Sequence, residues 1–147
     1  MKIGIANDHR GYKLKLKLVN YLKKKGYEVI DYGTDSTVSV DYPDYGILIG
    51  EKVRDKEVDY GIAICGSGIG ISIACNKVKG VRCAKVNNTR EAKLCRQDNN
   101  PNIIALNEKM HVFEAKDIID TFLKTEYKKE ERYQRRIDKI SKYEEEF

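Results

Sequence analysis

Five short apolar or β-branched runs, at residues 2–6, 28–32, 60–65, 81–86 and 102–106, are separated by helix-length segments that mix polar and apolar residues. Nothing else in the chain limits its fold so tightly. Strands that alternate with helices close as right-handed units, which makes the strands parallel and covers both faces of the sheet. The expectation is therefore an α/β, Rossmann-like three-layer sandwich with a five-stranded parallel sheet in the common order 2-1-3-4-5. A C-terminal helix follows. With 147 residues, 41% of them apolar, one core around one sheet is within reach, and residues 1–147 are expected to form a single unit.

The first connection tests that reading, because "KLKLKLV" (13–19) alternates with period two and reads locally as a strand. Its surroundings overrule it. Leu14, Leu18 and Leu22 share a helical face with Val19, Lys23, Lys24 and Lys25 complement a helix C-terminus, and Gly26 supplies a left-handed stop. A later helix opens at Asn88, where Glu91 three residues on completes a capping box, and it runs towards Asn99. In the tail, Tyr133, Ile137 and Ile140 make an apolar stripe too narrow to hold a free helix. That stripe is expected to pack on another subunit in preference to its own domain.

Charge and cysteine usage narrow the partners. Lys and Arg exceed Asp and Glu by five, which suits anionic small molecules. The positive charge is spread among acidic residues without interleaved aromatics, so no nucleic acid is expected. Cys65, Cys75, Cys83 and Cys95 are widely spaced and lack a histidine cluster, which argues against structural zinc and against a disulfide framework. No apolar run approaches a membrane span and no signal-peptide pattern opens the chain. A cytoplasmic protein without a membrane partner is expected.

An open parallel sheet binds ligands at the carboxyl ends of its strands, where the winding reverses. In the expected order that crevice lies between strands one and three, bringing "NDHRG" (7–11) beside "CGSGIG" (65–70). Asp8, His9, Cys65 and Ser67 then converge. Gly66, Gly68 and Gly70 would present backbone N–H groups at a helix start, a cradle for an oxyanion or phosphate. Three familiar readings of such a loop fail. The third glycine comes one residue early for a dinucleotide fingerprint, no Lys-Ser/Thr pair closes a P-loop, and Ile71 stands where a cysteine phosphatase needs arginine.

What remains is a thiol before a helix N-terminus, where its thiolate is favoured and could act as a base. A small buried apolar residue is the other reading of Cys65, and the residues alone leave both open. Cys75, Cys83 and Cys95 read as core. Asp8 is a helix cap or a catalytic group; His9 binds phosphate, orients a hydroxyl or lies on the surface; His111 is a surface or capping residue. Arg132 and Arg136, one helical turn apart, either grip a phosphate together or form a solvated face.

Taken together, "NDHRGY", "DYPDYG", "ICGSGIGISIACNKVKGVR", "CRQDNNPNIIAL" and "RYQRRIDKI" resemble, in order and over nearly the whole chain, the ribose-5-phosphate isomerase B family. That family also holds galactose- and allose-6-phosphate isomerases. The resemblance implies a homodimer or dimer of dimers with shared sites, and interconversion of aldose and ketose phosphates through an enediolate without metal or other cofactor. It makes Cys65 the base and Ser67 a shuttle for hydroxyl protons, with the amides around Gly66, Gly68, Ile69 and Gly70 stabilising negative charge. Asp8 and Tyr42 would contact sugar hydroxyls, Asn99 would line the site, and His9, Lys109, Arg132 and Arg136 would bind phosphate.

Two departures bear on the substrate. Asp98 stands where ribose isomerases of the family carry a histidine credited with opening the furanose ring, and an ionised carboxylate is a poor acid. Either Asp98 is tuned, another group takes over, or the sugar differs. "KKEE" replaces the usual Gly-Gly before Arg132, and Tyr133 a frequent histidine. The resemblance thus favours ribose 5-phosphate and ribulose 5-phosphate. Allose 6-phosphate, galactose 6-phosphate, a four-carbon sugar phosphate and a non-catalytic phosphosugar-binding subunit are the alternatives.

Overall fold

The computed structural model describes residues 1–147. Strands β1 (Lys2–Asn7), β2 (Glu28–Asp31), β3 (Tyr60–Cys65), β4 (Cys83–Lys85) and β5 (Ile103–Asn107) alternate with helices α1 (Tyr12–Lys24), α2 (Tyr42–Arg54), α3 (Ile69–Asn76), α4 (Thr89–Asn99) and α5 (Val112–Lys124), and α6 (Glu131–Glu144) closes the chain. All four ladders are parallel, as the alternation requires.

The strand order is β2-β1-β3-β5-β4, which corrects the expected exchange at one edge. Burial explains it. A central strand of a parallel sheet is covered on both faces and reads as a continuous apolar run; Ile103, Ile104, Ala105 and Leu106 of β5 are fully buried. By contrast β4 is three half-buried residues, and the valines that lengthen its run, Val81 and Val86, lie outside the strand. Asn76 finishes this edge: its side chain accepts from Cys83 N–H at 2.8 Å and donates to the Cys83 carbonyl at 2.9 Å.

Side chains alternate between two cores. Ile3, Ile5, Ile62, Ile64, Ile104 and Leu106 point towards α1, α4 and α5. Ala6, Ala63, Cys65, Ile103 and Ala105 point towards α2 and α3. Right-handed crossovers demand this division, because connections running towards β2 and those running towards β4 must lie on opposite faces. Cys65 thus ends β3 on the α2–α3 face.

Period two loses to the helix at "KLKLKLV". Leu14, Leu18 and Leu22 are buried and Gly26, at φ +93°, ends the segment. Lys15, which alternation would make a strand's solvent residue, is instead fully buried with its amine on Asp31 (2.8 Å) and the Thr34 carbonyl (3.0 Å). At α4, Asn88 accepts from Glu91 N–H at 2.8 Å, while Glu91 reaches Asn87 N–H at 3.3 Å, one residue earlier than a capping box prescribes. The α6 stripe divides. Ile137 is buried on its own chain, where α6 meets α4, which corrects the expectation that the whole stripe serves another subunit; Ile140 stays half exposed. No helix is long and apolar enough to cross a membrane.

Candidate active site

The turn leaving β3 is shaped by Gly68, whose left-handed φ of +79° disfavours any residue with a Cβ. Space is tight as well, since that Cβ would lie 3.0 Å from the Leu106 carbonyl carbon and β5 would have to give way. So placed, Gly68 donates its N–H to Cys65 Sγ at 3.2 Å. That N–H reaches the sulfur from the N-cap of α3. Cys65 is also only 4% exposed and packs within the α2–α3 core. The side chain is thus small and buried, as one of the two readings has it, and its sulfur meets one backbone donor. Ser67 Oγ is exposed and accepts from Ile69 N–H at 3.1 Å, closing the first turn of α3.

Residues from β1 and the chain before α2 flank this loop. Asp8 is buried, and its Oδ1 accepts from Arg10 N–H (2.9 Å) and Gly11 N–H (3.2 Å), which fixes the turn ahead of α1; Gly11 holds the cap position itself. The Asp8 N–H binds the Ile64 carbonyl at 3.2 Å, tying β1 to β3 beside Cys65. His9 Nδ1 accepts from Val40 N–H at 3.2 Å, so the proton of the neutral ring sits on Nε2. Tyr42 opens α2 with its ring against Gly70, where a Cβ would stand 2.7 Å from the ring's Cζ. Asp8, His9, Tyr42, Cys65 and the glycine loop therefore meet at the β1–β3 reversal, which the corrected strand order leaves untouched.

On the other side of the loop, Lys109 lies in a depression of about 490 Å³ with Arg10, Lys85 and Asn107, next to Gly66, Ser67 and Ile69. Sequence reasoning missed Arg10, Lys85 and Asn107. Arg10 was signalled by its place in "NDHRG"; Asn107 becomes a neighbour of Cys65 only once β5 is seated beside β3, where the two pair, and Lys85 reaches the loop's rim from β4, one strand further on.

The remaining expected residues are not brought here within one chain. α4 leaves the carboxyl edge of β4 and ends at the opposite edge, where Asn99 accepts from Arg82 Nε at 3.0 Å and Arg96 reaches the Tyr60 hydroxyl at 3.1 Å. Asp98 and Asn99 sit on that last turn. Arg132 pairs with Glu130 (3.2 Å) and the Tyr133 hydroxyl (3.0 Å); Tyr133 first, then Glu130 and Asp98, favour its charged form. Arg136 is exposed one turn along α6. Asp98, Asn99, Arg132 and Arg136 thus belong to the far edge from Cys65. Around β4 and α4, a hydrogen bond to Cys75 and burial push the Cys83 thiol well up, and burial pushes Cys95 up to about 11.

Comparison with known proteins places this arrangement among relatives. The ribose/galactose isomerase family pattern matches residues 3–140. Ribose-5-phosphate isomerase B of Escherichia coli is 41% identical over 141 residues, covering 95% of this chain and 94% of its own. The solved ribose-5-phosphate isomerase B of Clostridium thermocellum superposes with a TM-score of 0.96 at 48% identity, covering 99% of both chains. That of Mycoplasma genitalium, solved with bound ribulose 5-phosphate, gives 0.93 at 42% identity over 99% of this chain and 97% of its own.

Proposed function

The chain belongs to the ribose/galactose isomerase family, and on that premise we propose that it interconverts ribose 5-phosphate and ribulose 5-phosphate through an enediolate, with Cys65 as the base. The observation that carries this reading is the Gly68 N–H donated to Cys65 Sγ at the crevice that His9 and Tyr42 border. Moving hydrogen between C2 and C1 of an open-chain sugar needs a base at carbon, donors for the developing oxyanion and a hold on the phosphate. The thiolate takes the proton from C2 and returns it at C1. Amides around Gly66, Ile69 and Gly70 receive the enediolate oxygen, Ser67 Oγ relays hydroxyl protons, and Asp8 and Tyr42 position sugar hydroxyls. His9 faces the anion through Nε2–H.

Asp98, Asn99, Arg132 and Arg136 enter the same scheme from a second copy, in a homodimer or dimer of dimers. Their gathering at the far edge of the sheet, with Arg132 close enough for Asp98 to act on its charge, supports that role. Residues 1–147 act as one unit in each copy.

Asp98 favours a second reading, in which the natural sugar is a six-carbon or four-carbon phosphate that does not ask for a ring-opening imidazole. The test is turnover by the purified protein on ribose, allose, galactose and four-carbon aldose phosphates. Fastest conversion of ribose 5-phosphate is expected; faster conversion of another sugar would replace it, and no conversion of any would leave a binding subunit.

A further inference from the structure

The observed strand order creates a second reversal of winding, between β3 and β5, which the expected order lacks. The chain leaving β3 turns to the α2–α3 face, whereas the chain leaving β5 turns to the face of α1, α4 and α5. Such a parting at carboxyl ends is where open sheets take ligands, and the depression holding Arg10, Lys85 and Lys109 lies in it. Arg10 reaches it from the β1–α1 turn, whose shape the Asp8 carboxylate sets through Arg10 N–H.

Its guanidinium crosses the peptide that follows the candidate base. A Cβ on Gly66 would stand 3.6 Å from Arg10 Cζ, ordinary van der Waals contact, so the arm lies directly over this peptide. Beyond Gly66 the arm ends on Glu108, with Nη2 at 3.3 Å from Oε1. Glu108 is itself held over the loop, donating its N–H to the Cys65 carbonyl at 3.0 Å. The ion pair is long and half exposed at Arg10 (53%), a setting in which such pairs contribute little and a better acceptor displaces them. Lys85 is held only by the Asn87 amide oxygen, at 2.8 Å. Three cations therefore surround bare peptide and the exposed Ser67 hydroxyl, with Glu108 as the one carboxylate engaging any of them.

Resting on the isomerase reading above, we propose that Arg10 is a further substrate-binding residue, which exchanges Glu108 for the phosphate of the sugar and joins His9, Lys109 and the second copy's arginines in holding it, with Lys85 beside them. A planar guanidinium offers the forked donors that a phosphate accepts. The phosphate then lies over the Gly66 peptide, between His9 and Lys109, while the reacting carbons reach Cys65.

The test titrates inorganic phosphate calorimetrically into the wild-type chain, Arg10→Ala and Arg10→Lys, and measures kcat and KM of each on ribose 5-phosphate. Arg10→Ala is expected to weaken phosphate binding and raise KM about ten- to a hundredfold, as loss of a charge-assisted pair does. Arg10→Lys recovers part of both, and Glu108→Gln, which frees Arg10, tightens phosphate. Phosphate affinity and KM within about twofold of wild type in both Arg10 variants, or a loss confined to kcat, would overturn the assignment. If the wild-type chain converts no phosphosugar, the activity fails and the phosphate titration still decides Arg10.

Discussion

At the scale of single residues, the site depends on atoms that are missing as much as on those present. Gly68 puts its N–H on the sulfur only because no Cβ stands between it and β5. Gly70 is bare for a different reason: Tyr42 lies where its Cβ would be. Gly70→Ala should therefore tilt the Tyr42 ring while leaving the fold intact, raising KM several-fold, about 1 kcal/mol of binding; steady-state kinetics beside a thermal melt would check it. A melt that collapses, or an unmoved KM, would remove Tyr42 from the sugar's path. These contacts were legible in part. Cys65 with its glycines is contiguous in sequence, and so pointed to itself. The Val40 N–H on His9 spans 31 residues and the Arg10 pair to Glu108 spans 98, and nothing local in either stretch signals its partner.

Elements obey the same logic one level up. Asn88 satisfies an otherwise free N–H at the start of α4, so Asn88→Ala should cost about 1 kcal/mol, read as a lower midpoint in urea with an unchanged slope. Thiols on α4 and β4 give a pH signature. Burial raises Cys95 from 9.0 to about 11, so the folded chain keeps a proton that the unfolded chain releases. Stability from this thiol is whole below about pH 9 and declines as pH rises towards 11. Across that window the wild-type midpoint should fall more than that of Cys95→Ala; parallel curves would mean that burial does not govern this thiol. Helix α1 was legible despite its period-two run because three leucines, a basic end and Gly26 agreed. The β4–β5 exchange was not. Val81 and Val86 made the run at 81–86 look as strong as 102–106, although both belong to the turns around a three-residue strand.

For the whole molecule, the decisive feature is separation: Cys65, His9 and Tyr42 end one edge of the sheet, and Asp98 and Arg132 are gathered at the other. If a second copy joins them, two dead variants should repair each other. In a mixed dimer of Cys65→Ala and Arg132→Ala chains, one site inherits both substitutions and the other neither, so random mixing should restore about a quarter of wild-type turnover. Activity no higher than either variant alone would return the site to a single chain. Sequence pattern could reach the parallel sheet and its β1–β3 crevice, because both follow from alternation and handedness. It could not reveal which edge each tail residue occupies, since that depends on where α4 ends.

The claim beneath all of this is proton transfer by one thiol, and it is tested most directly by incubating ribose 5-phosphate in deuterated water with the wild-type chain and with Cys65→Ala, following deuterium at carbon by NMR. The wild-type chain should form ribulose 5-phosphate and carry deuterium into the sugar, while Cys65→Ala binds the sugar and does both about a hundred- to ten-thousandfold more slowly. Exchange by Cys65→Ala at the wild-type rate would contradict the account.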